Sequence, residues 1–284
     1  MNTMTDTFVN RAKYFQSQYE IVLRNALIAE KVFTVDNSDL KTIQNPYGSQ
    51  PTATVQAVAG TYTVSAYTVT DDTLTVTDEV TVAEHIYAHE EFFAKFDIAQ
   101  SRIDNLMYSV AYQIDKYVLN CALNAVSGTY TTPTGGFTTG GNIVTIMANL
   151  CSKVAGYAEA YNGLFLVIEN TDLVGFAVAG ATTGFSMADS VLKNGFMNSY
   201  MGVDIYVIRS GTFVSATLGT VTVTNAGHRL FGVKNMATYA SPRGIQYVEK
   251  DVTLLTGKEI NVFGLIGFKW WTPKLALGVN ITIA

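Results

Sequence analysis

Two histidines four residues apart, His85 and His89, stand with Glu84, Glu90 and Glu91 in the stretch of this sequence nearest to a metal-binding pattern. On a helix, positions i and i+4 share a face, so two imidazoles would converge with a carboxylate beside them. The pattern stops at half a site. There is no HExxH and no third ligand at a fixed spacing, so the two read as a surface or interface pair. The third histidine, His228, reads as a strand-edge residue. Adjacent carboxylates at Asp71-Asp72 and Asp78-Glu79 raise general acid–base chemistry, which needs one carboxyl desolvated until its pKa approaches neutrality. The flanking sequence is rich in Thr and offers no such environment, so both pairs read as turn carboxylates. Residues 128–141, GTYTTPTGGFTTGG, lack the Lys-Ser/Thr of a phosphate loop and the glycine spacing of a dinucleotide site, and read as a connection. Trp270, Trp271 and the Tyr239–Arg243 segment invite an aromatic ligand anchor. Alternation along a strand instead sends neighbouring aromatics to its two faces. No GxSxG, CxxC pair or kinase-type set is present. The sequence names no catalytic, cofactor-binding or metal-ligating residue and implies no cofactor, so it reads as a non-enzyme.

The elements that carry these residues are organised around one stretch, Asp97 to Ala125. Its apolar residues Ile103, Leu106, Val110, Ile114, Tyr117, Val118, Cys121 and Ala125 recur at the three-and-four spacing of one helix face. Arg102, Asn105, Ser109, Gln113, Lys116 and Asn120 fall on the other side. Asp97 is placed to cap the first turn, and Gly128 to end the helix in a left-handed conformation. Such a spine is about 42 Å long at about 1.5 Å per residue.

Upstream, Thr5 to Ala29 has apolar points at Phe8, Ala12, Phe15, Tyr19, Val22 and Ala26, and reads as an amphipathic helix or arm, packed on its own domain or on a neighbour. From Val32 to Val82 the texture changes to Thr-rich alternation, TYTVSAYTV (61–69) and TLTVTDEVTV (73–82), with turn signals at Pro46-Tyr47-Gly48, Gln50-Pro51 and Asp71-Asp72. Alternating β-branched residues mean strand, and the thin apolar content means a solvated sheet or a projecting flap that rests on something else. Downstream, a helix over Asn142–Tyr161, a buried strand over 164–169 and a helix from Asn170 form an α/β layer. Ala179–Ser186 reads as a loop tip. Further strands follow, of which 259–271 is the longest apolar one. Pro273 interrupts the ladder, and 275–284 closes as an edge-like strand.

With 284 residues the chain can bury one large core or two modest ones. Hydrophobic residues make up 48% and charged residues only 14%, so apolar surface has to be hidden beyond a single fold, and broad subunit interfaces are the natural place. Mean hydropathy is +0.20, yet no apolar run approaches the roughly 18 residues of a membrane span, and the N-terminus carries no signal-peptide pattern. A net charge of −5 with scattered Lys and Arg argues against a dedicated nucleic-acid binder. Cys121 and Cys151 each fall on an apolar helical face and read as buried free thiols in a reducing compartment.

The order of elements resembles that of the HK97-type major capsid proteins of tailed bacteriophages: an arm, a Thr-rich flap, a spine helix, an α/β layer and a return through long strands. Four stretches carry the likeness. LFLVIENTDLVGF (164–176) looks like the helix–strand–helix lead into that family's A domain, and NGFMNSYMGVDIYVIRSG (194–211) resembles its glycine followed by a short exposed strand. FGVKNMATYASPRGIQYVEK (231–250) is similar to the strand passing from the A domain to the P domain, and EINVFGLIGFKWWTPKLALGVNI (259–281) to the closing strand with its Pro-containing terminus.

What the resemblance implies is an α+β, HK97-like capsid fold. Its parts would be an N-terminal arm (1–33), an extended β-hairpin E-loop (34–95), a P domain with the spine helix (96–141), an A domain of mixed sheet and flanking helices (142–235), P-domain return strands (236–265) and a C-terminal strand of the A domain (266–284). It implies a structural major capsid protein that self-assembles as hexamers and pentamers into an icosahedral head, enclosing double-stranded DNA without sequence-specific binding and without a membrane. Implied partners are further copies of itself, a separate scaffolding protein during assembly, a portal and cement proteins, with assembly in the host cytoplasm and residence in the virion head. A separate scaffold is expected because the flap begins by Thr34, ahead of which some relatives carry a long charged extension. Lys41 is the only lysine between Lys31 and Lys95 and has no recognisable crosslinking partner, so no covalent crosslink is expected. The alternatives are an encapsulin-type nanocompartment shell protein, against which the long Thr-rich flap weighs, and a soluble β-rich ligand-binding module.

Overall fold

The computed structural model describes residues 27–49, 66–87, 98–183, 196–251 and 257–284, with scattered positions between 51 and 64. The expected arm up to residue 26, His89, Glu90, Glu91 and Asp97 lie outside the described residues.

A single helical turn, α1 (Ala29–Val32), leads into β1 (Thr34–Asp36). The flap then runs out and back as two short antiparallel ladders, β2 (Thr42–Gln44) with β5 (Thr73–Thr75), and β3 (Tyr47–Gly48) with β4 (Val69–Thr70). Pro46 breaks the outgoing strand because it has no N–H for the ladder. Of the expected strand over 61–69, only Val69 lies in a strand among the described residues. The expected strand over 73–82 is divided at Val76-Thr77 between β5 and β6 (Asp78–Tyr87).

The spine, α2 (Ile98–Ala125), buries Ile103, Leu106, Val110, Ile114, Tyr117, Val118 and Cys121, as the periodicity requires. Its C-terminal half also buries Leu119, Ala122 and Leu123, because strands from both sheets surround it there. Asn120, expected on the polar side, is therefore fully buried. Gly128 is not a left-handed helix stop. It opens β7 (Gly128–Thr131), inside the stretch expected to be a plain connection, and pairs with Val279. A Cβ there would stand 2.5 Å from the Gly278 carbonyl oxygen, so the glycine permits a close approach of two backbones.

Helix α3 (Gly140–Val154) buries Ile143, Ile146, Met147, Leu150 and Val154 on one face, and β8 (Leu164–Glu169) follows as the buried strand. Helix α4 (Leu173–Thr183) runs through residues expected to form a loop tip. Next come β9 (Phe196–Tyr200), β10 (Val203–Ile208), the hairpin β11 (Ser215–Leu218) and β12 (Val221–Thr224), then β13 (His228–Val233), β14 (Ala237–Ala240), β15 (Ile245–Asp251), β16 (Gly257–Trp270) and β17 (Gly278–Thr282).

Two sheets divide these strands. In the first, β16 lies between β15 and β6 over its N-terminal part and pairs with β14 at its C-terminal end, with β1 parallel to β14 outside. The second is mixed, in the order β7-β17-β13-β8-β10-β9, with β8 parallel to β10 and β7 parallel to β17. The closing strand β17 is thus interior rather than edge-like. One continuous core joins the sheets. Phe33 marks the junction, with ring centroids 5.8 Å from Phe165 of β8, 5.4 Å from Phe268 and 5.8 Å from Trp270 of β16. Trp270 enters this core, while Trp271 enters a separate small one with Leu74, Val76 and Ala240. The two tryptophans do pack on opposite sides.

Candidate functional site

The flap meets the body through a root with period-2 burial. Asp72, Leu74, Val76 and Asp78 point inward, and Thr73, Thr75 and Thr77 point to solvent. Leu74 and Val76 fill the small core around Trp271, with Ile43 against it. A buried carboxylate closes each end of the root.

Asp72 accepts the backbone N–H of Thr272 (2.7 Å) and pairs with Lys269 (2.9 Å). Asp78 accepts four hydrogen bonds: the Tyr117 hydroxyl (2.6 Å), the Thr220 N–H (2.7 Å) and hydroxyl (2.9 Å), and the Thr77 hydroxyl (3.1 Å). Burial opposes charge at both sites. At Asp72 the Thr272 amide and Lys269 outweigh it, and at Asp78 the Tyr117 and Thr220 donors do, so both carboxyls are held below the ordinary range. Burial, together with its bond to Asp78, pushes the Tyr117 hydroxyl up. The neighbouring Cys121 thiol is pushed up to about 12, mainly by burial. Gly219, in the β11–β12 turn, has φ +59°, and a Cβ on it would stand 2.2 Å from Asp78 Oδ1. Only glycine lets this turn close over the carboxylate. Pinned in the ionised state with their lone pairs engaged, Asp72 and Asp78 act as fasteners, not as acids or bases. The expectation of turn carboxylates holds for Asp71, in the β4–β5 connection, whereas Asp72 and Asp78 are buried and Glu79 is an exposed residue of β6.

Two polar residues of the spine fasten other segments. Asn120 donates to the Lys116 and Thr212 carbonyls (2.8 and 2.9 Å), and its Oδ1 accepts from the Val214 N–H (3.1 Å) and Asn225 Nδ2 (3.2 Å). Asp115 holds the N-terminal end of α1 through the Ile28 and Ala29 amides. The run Tyr-Val-Leu-Asn-Cys-Ala-Leu (117–123) carried the missed signal, since a lone Asn inside an apolar stretch marks a buried, satisfied amide. In the second sheet Arg229, 5% exposed, binds both oxygens of Asp172 and lies 3.1 Å from Glu169, whose other oxygen accepts the Gly211 N–H at 3.0 Å. This cluster ties β13, the start of α4 and the β10–β11 loop together.

The residues first considered for chemistry are dispersed. His85 lies on β6, not on a helix, edge-on to Tyr87 at 4.5 Å. No group of three or more metal-ligating side chains exists among the described residues. His228, at the end of β13, has Nδ1 2.6 Å from Asn280 Oδ1. Cys121 is buried and Cys151 half-buried, both free. No helix among the described residues is long and apolar enough to cross a membrane. What the flap does offer is apolar surface. Leu40, Val55, Val58, Val64, Tyr67 and Val69 are all exposed on it.

No protein-family model matches the sequence, and no curated protein matches it. Solved structures do match. The capsid structure of cyanophage P-SCSP1u aligns over 94% of this chain and 91% of its own at 14% identity, with a TM-score of 0.69. A chain of Mycobacterium phage Che8 aligns over 92% and 93% at 11% identity, TM-score 0.71. The capsid of an empty GTA particle aligns over 94% and 93% at 13% identity, TM-score 0.68. At such identities the likeness is one of fold, and it spans nearly the whole of each chain. The polypeptide has the α+β, HK97-like fold of these capsid subunits.

Proposed function

We propose that this chain is a structural major capsid protein, which assembles as hexamers and pentamers into the icosahedral head of a tailed bacteriophage around double-stranded DNA. The observation that carries the reading is the flap. It projects with exposed apolar side chains from a root fastened by Asp72 and Asp78, on a fold shared with capsid subunits over more than nine-tenths of the chain. An extended hairpin of this kind gains its apolar burial on a neighbouring copy. We assign residues 1–33 as the arm, 34–95 as the E-loop, 96–141 with 236–265 as the P domain, and 142–235 with 266–284 as the A domain. A separate scaffolding protein and a portal complete the assembly, which takes place in the host cytoplasm. The fasteners serve rigidity, and the role assigned to them is mechanical.

Electron microscopy of the purified protein, with and without a candidate scaffold, tests this. Closed shells or regular hexamer and pentamer rings are expected. A monodisperse monomer at high concentration, even with scaffold present, overturns the proposal.

A further inference from the structure

Asp115 stands apart from the other fasteners. It is 4% exposed, and a single oxygen, Oδ1, accepts the N–H groups of Ile28 (2.8 Å) and Ala29 (2.6 Å). These amides begin α1 and have no partner within that turn, which is closed behind them by Lys31 N–H to Ile28 O and Phe33 N–H to Ala29 O. The bond therefore fixes the direction in which the chain enters β1 and the Phe33 junction. Unlike Asp72, Asp115 is bonded to no cation among the described residues. Among the described residues, the charged and titratable groups around it are Glu30 and Lys31 of the turn, which act in opposite senses, and Tyr239 of β14. A cavity of about 320 Å³ flanks the carboxyl, lined by Leu27, Glu30, Met107, Tyr239 and Ser241 among others.

We infer that Asp115 is a proton-operated latch on the segment entering β1: protonated, it holds the α1 turn against the spine, and ionised, it loosens it. The protonated carboxyl still accepts both N–H groups through its carbonyl oxygen and avoids the cost of a buried charge. Burial pushes the carboxyl up to about 6, and the Ala29 and Ile28 amides offset this only in part. With the turn swung away, Asp115 meets water and returns towards its ordinary 3.8. The latched form thus binds the proton more tightly than the open one. Acid favours the latch, which weakens as pH rises from about 4 to about 6 and changes little beyond that. The latched-to-open ratio falls roughly 60-fold from pH 4 to pH 8, and roughly tenfold from pH 5 to pH 8. The latch belongs to the single subunit, so its failure and a failure to form shells are separate results.

Hydrogen exchange of the full-length, unassembled protein between pH 5 and pH 8 tests it, corrected for the intrinsic rate and referenced to the amides of residues 116–123. Protection over residues 28–36 is expected to fall roughly tenfold as pH rises. The Asp115→Asn variant, a neutral isostere with the same acceptor, is expected to abolish that slope and keep the acid-side protection. A flat or rising wild-type profile, or an unchanged slope in D115N, overturns the latch. Should D115N not fold, a carboxyl-carbon NMR titration of the wild type decides: a midpoint near 6 supports the latch, and one near 4 overturns it.

Discussion

The Tyr117 hydroxyl, on the buried half of the spine, donates to Asp78 Oδ2 at the root of the flap over 2.6 Å, and the Thr220 hydroxyl reaches the same oxygen. Spine, flap and the β11–β12 hairpin therefore meet on one carboxylate. Asp78→Ala would leave the Tyr117 hydroxyl and the Thr220 amide without their acceptor, at a cost of about 2–4 kcal/mol. Asp78→Asn, which retains an acceptor, is expected to cost less. Equilibrium urea unfolding reads both, and an unchanged midpoint in the Ala variant would refute the role assigned to Asp78.

Acid should loosen the flap root. Asp72 and Asp78 have folded-state pKa values below the ordinary 3.8, so their contribution is complete above that value and is lost as pH falls through the lowered ones. Asp115, raised to about 6, gives the opposite slope, with stability falling as pH rises from about 4 to about 6. Scanning calorimetry from pH 2.5 to pH 7 is expected to show melting temperature dropping steeply below pH 4. The drop should be shallower in a D72N/D78N double variant, and an equal drop in both proteins would contradict the account.

Phe33→Ala should be among the most damaging single truncations. Its ring packs edge-on to Phe165, Phe268 and Trp270 where the sheets join, and the loss is about 3–5 kcal/mol from lost transfer energy and the cavity left behind. Urea unfolding together with near-ultraviolet dichroism of Trp270 measures it. A loss under about 1 kcal/mol would mean that the junction repacks freely.

Changes at the exposed flap should separate folding from assembly. Tyr67→Ser with Val69→Ser removes apolar groups that are 71% and 58% exposed, so subunit stability should move by no more than about 0.5 kcal/mol. Sedimentation should nonetheless show a smaller assembled fraction. Wild-type assembly by this pair would place the contact elsewhere.

The spine was legible because a single period of three and four runs through it, and β8 and β16 because their apolar runs are long. The order of elements was enough to place the fold. The buried Asp72, Asp78 and Asp115 were not legible, since their donors lie far away in sequence: Thr272, Thr220 and Tyr117, and Ile28. A local window shows an acid among threonines and cannot show which amide will arrive to bury it. The strand β7 was hidden for a related reason. Gly128-Thr-Tyr-Thr carries little apolar signal and becomes a strand only because β17 pairs with it. The helical placement of His85 failed differently, because its β-branched neighbours impose a strand.

The position of β17 has a consequence for the timing of synthesis. It lies between β7 and β13, so Gly128 meets its partner only when Val279 has been made. A chain emerging from the ribosome would carry an unfilled gap in its mixed sheet until that point. Closure of the mixed sheet therefore has to follow synthesis of its last strand.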